Sequence, residues 1–368
     1  MSIHIPFIVI VLAVLFSCHW FLYETVLFFF HLGGTAAVVP LRITFALLSV
    51  FFLLAFSLAS RYSSLWVRAF YTAAASWLGF IDFLVLASIA LWVIYAASRV
   101  IPFSMNPKLL TTAFFGLAIL VGIYGMVNAA LPRVTSITVK LSNLPEYWRG
   151  KTAVWVSDVH LGSVRGYGFA KEVAGKIQEL KPDVIFIGGD LFDGGTIDLD
   201  EFTEPFSKVS APDGTYFITG NHEEFTDPTR YLNAVRQAGI KILNNELTVI
   251  KGLQIVGVDY RDSANRQNYT EIMSRFPLDG NLPSVLLKHS PLNLDIANDK
   301  GISLQISGHT HKGQIFPGSF FTARVYQGYD YGFKKFGNMQ IYTSSGAGTW
   351  GPPMRVGSTP EIVVIKFE

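Results

Sequence analysis

A chain of 368 residues that is 50% hydrophobic and 15% charged, with a mean hydropathy of +0.37, is too apolar for an ordinary soluble protein and too charged for a wholly intramembrane one. A net charge of +2 with no basic tract gives no reason to expect nucleic-acid binding. The single cysteine, Cys18, excludes an intrachain disulfide and any zinc site built on several thiolates.

The charge is unevenly placed. Residues 1–130 carry only Glu24, Arg42, Arg61, Arg68, Asp82, Arg99 and Lys108. The chain therefore divides into a transmembrane module, 1–131, and a water-soluble domain, 132–368, long enough to bury its own core. Four apolar runs, roughly 5–30, 41–60, 72–98 and 109–131, each reach the ~20 residues that cross ~30 Å of hydrocarbon. The first does not read as a secretory signal, because no Lys or Arg precedes it and the run is too long. Four crossings place both termini on one side. Arg61 and Arg68 lie between the second and third runs, and Arg133, Lys140, Arg149 and Lys151 follow the fourth; Arg42, Arg99 and Lys108 lie on the opposite side. That bias favours an integral, multi-pass membrane protein with a cytoplasmic soluble domain. His19, Glu24, His31 and Asp82 fall in or near the runs and are expected to snorkel to an interface or face the bundle interior.

Beyond Pro132, alternation from Val134 to Leu141 predicts a strand. A second, over 152–156, breaks into Asp158-Val159-His160, a carboxylate and an imidazole beyond a β-branched run. Apolar residues at helical spacing (Phe169, Val173, Ile177, Leu180) predict a helix over 168–180 that ends at Pro182. The strand at 184–187 runs into Gly188-Gly189-Asp190-Leu191-Phe192-Asp193, where two glycines allow a tight turn. A strand at 216–218 leads to Gly220-Asn221-His222-Glu223, and a helix near 227–238 follows. Short strands are expected at 240–243, 246–250 and 254–258. The strand at 285–287 leads to Lys288-His289, and that at 304–306 to Gly308-His309-Thr310-His311-Lys312-Gly313-Gln314. Five times an apolar strand ends in Asp, Asn or His, and all five histidines beyond residue 131 sit at these ends. Strand ends are where open α/β sheets keep their sites.

Carboxylate and amide oxygens with several imidazoles and no thiolate describe a metal site suited to Mn²⁺, Fe or Zn²⁺. A pair of metals ~3.5–4 Å apart needs a bridging carboxylate and can hold a hydroxide for in-line attack on phosphorus. Asp190, after its two glycines, is the expected bridge.

In their order, Asp-x-His, Gly-Asp-x-x-Asp, Gly-Asn-His-Glu, a lone strand-end His and Gly-His-x-His resemble the calcineurin-like metallophosphoesterases over roughly residues 150–368. Gly-Gln after the last motif, with Gly351-Pro352-Pro353-Met354-Arg355 and Pro360-Glu361, resembles the YkuE/YaeI-like branch. The resemblance implies a four-layer α/β sandwich of two sheets flanked by helices, preceded here by about four transmembrane helices. It implies two divalent metal ions: one held by Asp158, His160, Asp190 and His311, the other by Asp190, Asn221, His289 and His309. His222 matches the family's histidine that contacts the phosphoryl group and protonates the leaving oxygen, with a looser eighth ligand as the other reading. Asp193 either fixes the His222 tautomer or caps its turn. Lys312 and Arg165 either meet the substrate phosphate or serve elsewhere, Lys312 by pointing to solvent. Glu223 is expected to be solvated or salt-bridged. The aromatic and cationic stretch 315–337 suits a membrane interface or a hairpin packed on a sheet edge.

The implied activity is hydrolysis of a phosphodiester or pyrophosphate, with a lipid or cell-envelope precursor as the substrate suggested by membrane attachment. The other readings are a soluble nucleotide or phosphomonoester, and a non-catalytic membrane scaffold that keeps the fold.

Overall fold

The structure, a computed structural model, describes residues 4–101, 106–225 and 227–368. Two compact units emerge. One runs up to Val127 and includes Gly351–Met354; the other comprises Asn128–Trp350 and Arg355–Glu368.

The first unit is built on α1 (His4–Phe30), α2 (Val38–Ala59), α3 (Leu65–Ser98) and α4 (Pro107–Asn128). All four are long and apolar enough to cross a membrane. The third helix starts well before the apolar run at 72–98, because Ser64 caps it by accepting from the Val67 amide. Arg68 therefore lies inside a helix and not in a loop. His19 faces the bundle interior, as one of the two sequence readings had it. Its Nε2 accepts from Trp77 Nε1 at 3.0 Å and its Nδ1 lies 2.7 Å from the Leu15 carbonyl. Thr25 takes the Trp92 indole N–H in the same way, at 3.0 Å. These are internal partners for polar groups that hydrocarbon would leave unsatisfied.

The second unit begins with β1 (Arg133–Val139), β2 (Thr152–Val156), α5 (Tyr167–Glu179), β3 (Val184–Ile187), α6 (Leu199–Ser207) and β4 (Thr215–Phe217). It continues through α7 (Asn221–Glu224), α8 (Thr229–Gln237), β5 (Lys241–Ile242), β6 (Glu246–Ile250), β7 (Leu253–Gly257), α9 (Tyr260–Ala264) and α10 (Arg266–Arg275). The remainder is β8 (Ser284–Leu287), α11 (Leu294–Asp299), β9 (Leu304–Ser307), α12 (Gly318–Val325), β10 (Gly332–Phe336), β11 (Met339–Thr343) and β12 (Glu361–Phe367). Two mixed sheets form, in the orders β1-β12-β2-β3-β4-β5 and β10-β11-β9-β8-β7-β6.

Strand periodicity builds the layers. In β2, Ala153 and Trp155 turn into the core between the sheets, while Val154 and Val156 pack against the outer helices α5, α6 and α8. In β8, Val285 and Leu287 face the inter-sheet core and Leu286 faces α10 and α11. Strands buried on both faces read as continuous apolar runs. The result is helices, sheet, sheet, helices.

The strands β2, β3, β4 and β5 are parallel, and so are β7, β8, β9 and β11. Loops leaving β2, β3, β4, β8 and β9 carry the five polar motifs. The late strand β12 enters the first sheet between β1 and β2.

Candidate metal centre

Three groups of side chains come together at these strand ends. Asp158, His160 and His311 offer ligand atoms within 4.8 Å of one another, as do Asp190, His289 and His309, and also His160, Asp193 and His222. The sequence places these residues up to 153 positions apart (158 to 311); the parallel strands bring them to one end of the two sheets.

The backbone at the site is unusual. Asp158, His160, Asp190, His309 and His311 all adopt positive φ, between 49° and 70°. Non-glycine residues seldom do so, and such conformations collect where surrounding structure fixes them for function. Neighbouring glycines leave the room. A Cβ on Gly308 would run into the Asp158 carboxylate and Ser157, and one on Gly220 would run into Asp190.

Hydrogen bonds aim the carboxylates. Asp158 accepts from the His309 amide, at 2.9 and 3.1 Å to its two oxygens, and from the Ser157 hydroxyl. Asp190 Oδ1 accepts from the His222 amide at 2.9 Å. That leaves Asp190 Oδ2 facing His289 Nε2 at 3.2 Å and His160 Nε2 at 3.8 Å, one oxygen between two clusters. The Gly188 carbonyl lies 2.7 Å from His289 Nδ1 and orients that ring with Nε2 inward. His160 Nε2 and His311 Nε2 lie 3.0 Å apart.

Among the described residues, His289 Nε2, His160 Nδ1, Asp193 Oδ1 and Asn221 Oδ1 are buried with no hydrogen-bond partner. Orphaned buried acceptors beside paired carboxylates are what a cation would satisfy. The donor set of oxygen and imidazole nitrogen fits a divalent metal of the Mn, Fe or Zn kind.

Electrostatics divide the cluster residues. Burial works to raise the Asp190 carboxyl, but His289, His222 and His160 together hold it well below the ordinary value. Burial, then the charge of His289, pushes His309 down to about 3. His311 lies well below the ordinary value through burial, His160 and Arg355. Asp190 is thus favoured as the carboxylate and both motif histidines as neutral rings, the states that metal ligation requires; His289 differs, because burial is outweighed by Asp190 and Asp158, which raise it to about 9.

The remaining sequence candidates differ from expectation in detail. The His222 ring lies 4.6 Å from that of His160, and its Nδ1 meets the Asp193 backbone carbonyl at 3.2 Å. The Asp193 carboxylate stands farther off, 3.5 Å from His222 and 3.4 Å from His160, so it faces two imidazoles instead of clamping one. Lys312 does not point to open solvent; its ammonium sits 4.3 Å over the Tyr331 ring. Arg165 is spent on structure, donating to Thr349 Oγ1 at 3.2 Å and to the Ala129 carbonyl at 2.6 Å while stacking on Phe169.

Glu223 overturns its expectation. It is fully buried and, among the described residues, in no salt bridge; it accepts from the amides of Asp190 at 2.9 Å, Gly220 at 2.8 Å and Phe192 at 3.1 Å. One carboxylate thereby staples the loop after β3 to the loop after β4. Its position three residues after Gly220, a capping-box spacing, was the available signal.

Arg355 carries a second role that the residues alone did not assign. Fully buried, it donates to the carbonyls of Gly348 and His311, at 2.6 and 3.2 Å, and lies 3.2 Å from His311 Nδ1. Lys288, also fully buried, donates to the Ser290 and Leu292 carbonyls at 2.7 and 3.0 Å.

A family model described as calcineurin-like phosphoesterase matches residues 152–313. An uncharacterized metallophosphoesterase of Campylobacter jejuni, Cj0846, is 32% identical over 252 residues, which cover 67% of this chain and 66% of that one. A transmembrane protein with metallophosphoesterase domain from Danio rerio is 29% identical over 263 residues, 67% of this chain and 60% of that one. The match thus spans less than two thirds of the length of these two relatives. The uncharacterized metallophosphoesterase YkuE of Bacillus subtilis is 32% identical over 261 residues, 67% of this chain and 90% of YkuE. With its strand-end motifs gathered into Asp/His clusters and this much sequence shared with YkuE, the chain belongs to the calcineurin-like metallophosphoesterases.

Proposed function

We propose that the protein is a membrane-anchored phosphoesterase with two divalent metals, one held by Asp158, His160, Asp190 and His311, the other by Asp190, Asn221, His289 and His309. The observation that carries this reading is Asp190 Oδ2, which faces His160 and His289 at once. Metals bound there would supply a nucleophilic oxygen at neutral pH and draw charge from the phosphoryl group.

The protein's own groups do the rest. Asp190 is held by the His222 amide and, through its own amide, by Glu223, so the two clusters keep their separation. Glycines 220 and 308 admit the carboxylates close to the backbone. His222, beside His160 at the same strand ends, hydrogen-bonds the phosphoryl group and assists the leaving oxygen. Burial keeps its value below the ordinary one, against the pull of Asp190 and Asp193 towards the protonated ring.

Residues 1–131 serve as a multi-pass anchor and residues 132–368 as the hydrolase, placed on the cytoplasmic side by the excess of Arg and Lys flanking that face. Attachment to a bilayer favours a phosphodiester or pyrophosphate of a lipid or envelope precursor over a soluble nucleotide.

The test is hydrolysis of bis-p-nitrophenyl phosphate and of the monoester by the full chain in detergent, stripped of metal and then reloaded with Mn²⁺. Metal-dependent diester cleavage that Asn221→Ala and His222→Ala each lower by about 10²-fold or more is expected. Two bound metals with no hydrolysis of either ester or of lipid phosphoesters would leave a scaffold. A strong monoester preference would remove the diester assignment.

A further inference from the structure

Helix α12 starts seven residues after His311 and buries none of its eight residues. Phe320 and Phe321 are each 68% exposed and Val325 is 61% exposed. This face is firmly mounted. Before the helix, Ile315 bridges to Val356 and Gly357, and the Phe316 amide donates to the Val356 carbonyl at 2.8 Å. Within it, Thr322 donates to the Asp330 carboxylate at 3.0 Å, and Thr310, between the two motif histidines, donates to the Asp330 carbonyl at 2.6 Å. At its end, Tyr326 meets the His309 ring edge-on at 6.2 Å. The metal centre and the exposed phenylalanines are therefore parts of one rigid segment.

Three observations say what covers the face. First, the charge around it has one sign: residues 315–337 contain Arg324, Lys334 and Lys335, with Asp330 as the single acid, and Asp330 is buried. Second, aromatic and cationic side chains presented together suit the interfacial layer of a bilayer, where rings sit at headgroup depth and cations reach lipid phosphates. Third, the strap 355–358 that receives Ile315 and Phe316 is gripped on its other flank by Asn128, the last residue of the membrane-crossing helix α4. Asn128 Nδ2 donates to the carbonyls of Arg355 and Ser358, at 3.0 and 2.9 Å.

We propose that α12 is a bilayer-seating lip: Phe320, Phe321 and Val325 enter the interfacial layer of an anionic membrane, with Arg324 and Lys335 on its phosphates. The inference rests on the membrane reading of α1–α4 and not on hydrolysis. It gives the proposed lipid phosphoester a route, because the rim beside His309 then opens at headgroup level. The lip also explains why an eight-residue helix keeps its phenylalanines out of both sheet cores.

The test uses the full chain in nanodiscs. In a Cys18→Ser background, an environment-sensitive probe is attached at Phe320→Cys and, as a reference, at Gln267→Cys on α10. The expected result is a blue-shifted probe at 320, quenched by nitroxide lipids, with both effects stronger in phosphatidylglycerol than in pure phosphatidylcholine. The probe at 267 should show neither. Phe321→Asp combined with Lys335→Glu should abolish the shift while hydrolysis of a water-soluble ester by the same variant stays within about twofold of the parent. A water-exposed probe at 320 in both lipids overturns the proposal. So does shielding that lipid nitroxides do not reach and that grows with protein concentration, which would assign the face to a second copy. The probe shift and the nitroxide quenching do not require the enzyme to turn over, so loss of the hydrolase reading would leave that result standing.

Discussion

Glu223 shows how one side chain can shape a candidate metal site without belonging to its clusters. Three backbone amides from two loops converge on its carboxylate in a fully buried position. Glu223→Ala leaves those donors unpaired, at a cost of about 1–3 kcal/mol each. We expect a destabilisation of about 3 kcal/mol or more, seen in chemical unfolding, together with weaker metal uptake. Glu223→Gln keeps the shape and one acceptor oxygen and should retain more of both; equal stability of the alanine variant and the parent would refute the staple. The sequence concealed this role because a Glu between a buried His and a second Glu has the local pattern of a solvated turn. Its burial arises only when the loops after β3 and β4 close over it.

At the level of elements, the loop leaving β9 depends on a segment far along the chain. Arg355 spans the carbonyls of His311, Gly346 and Gly348, so the motif that ends in His311 is braced by the approach to β12. A lysine there keeps the charge but has no planar fork with which to reach all three carbonyls. Arg355→Lys is therefore expected to lower metal affinity or activity by about 10–100-fold, in the manner of groups that orient ligands, with far-ultraviolet circular dichroism unchanged. Unaltered metal affinity would show that His311 holds its place without the brace. Element existence was legible where periodicity was strong: β2, β3, β8, β9 and α5 fall within a residue or two of the expected spans. The sequence reading did not assign α6, α9, α10, α11 or α12, which at five to ten residues are too short to establish a helical period. In the stretch 315–337, β10 pairs with β11 at a sheet edge, as the hairpin reading had it, and α12 stays exposed.

Over the whole molecule, two properties can be measured. Metal bound to the folded state and not to the unfolded one stabilises by mass action, about 2.7 kcal/mol at 100 times Kd. For a unit of this size that corresponds to a rise of ~5–10 °C in Tm. Chelation should lower the melting temperature by that amount and Mn²⁺ should restore it; an unchanged Tm at saturating metal would argue against structural coupling of the clusters. For orientation, a single cysteine at Gln267→Cys in a Cys18→Ser background should react with an impermeant maleimide in inverted vesicles and not in intact cells. The reverse pattern would put residues 132–368 on the other side of the membrane.

The sequence by itself determined the division between an apolar module of about a third of the chain and a charged remainder, the five strand-end motifs and the chemistry of their donors, because hydrophobic burial and strand periodicity are written in local composition. It also carried the family, since the motifs keep their order along the chain. Only the tertiary structure decided which donors face one another: the Asp190 oxygen between two clusters, Asp193 between two imidazoles, Glu223 under two loops and Arg355 behind His311. Those relations join residues tens of positions apart, and they are set by how parallel strands align and by which backbone groups are left to be satisfied once the sheets have packed.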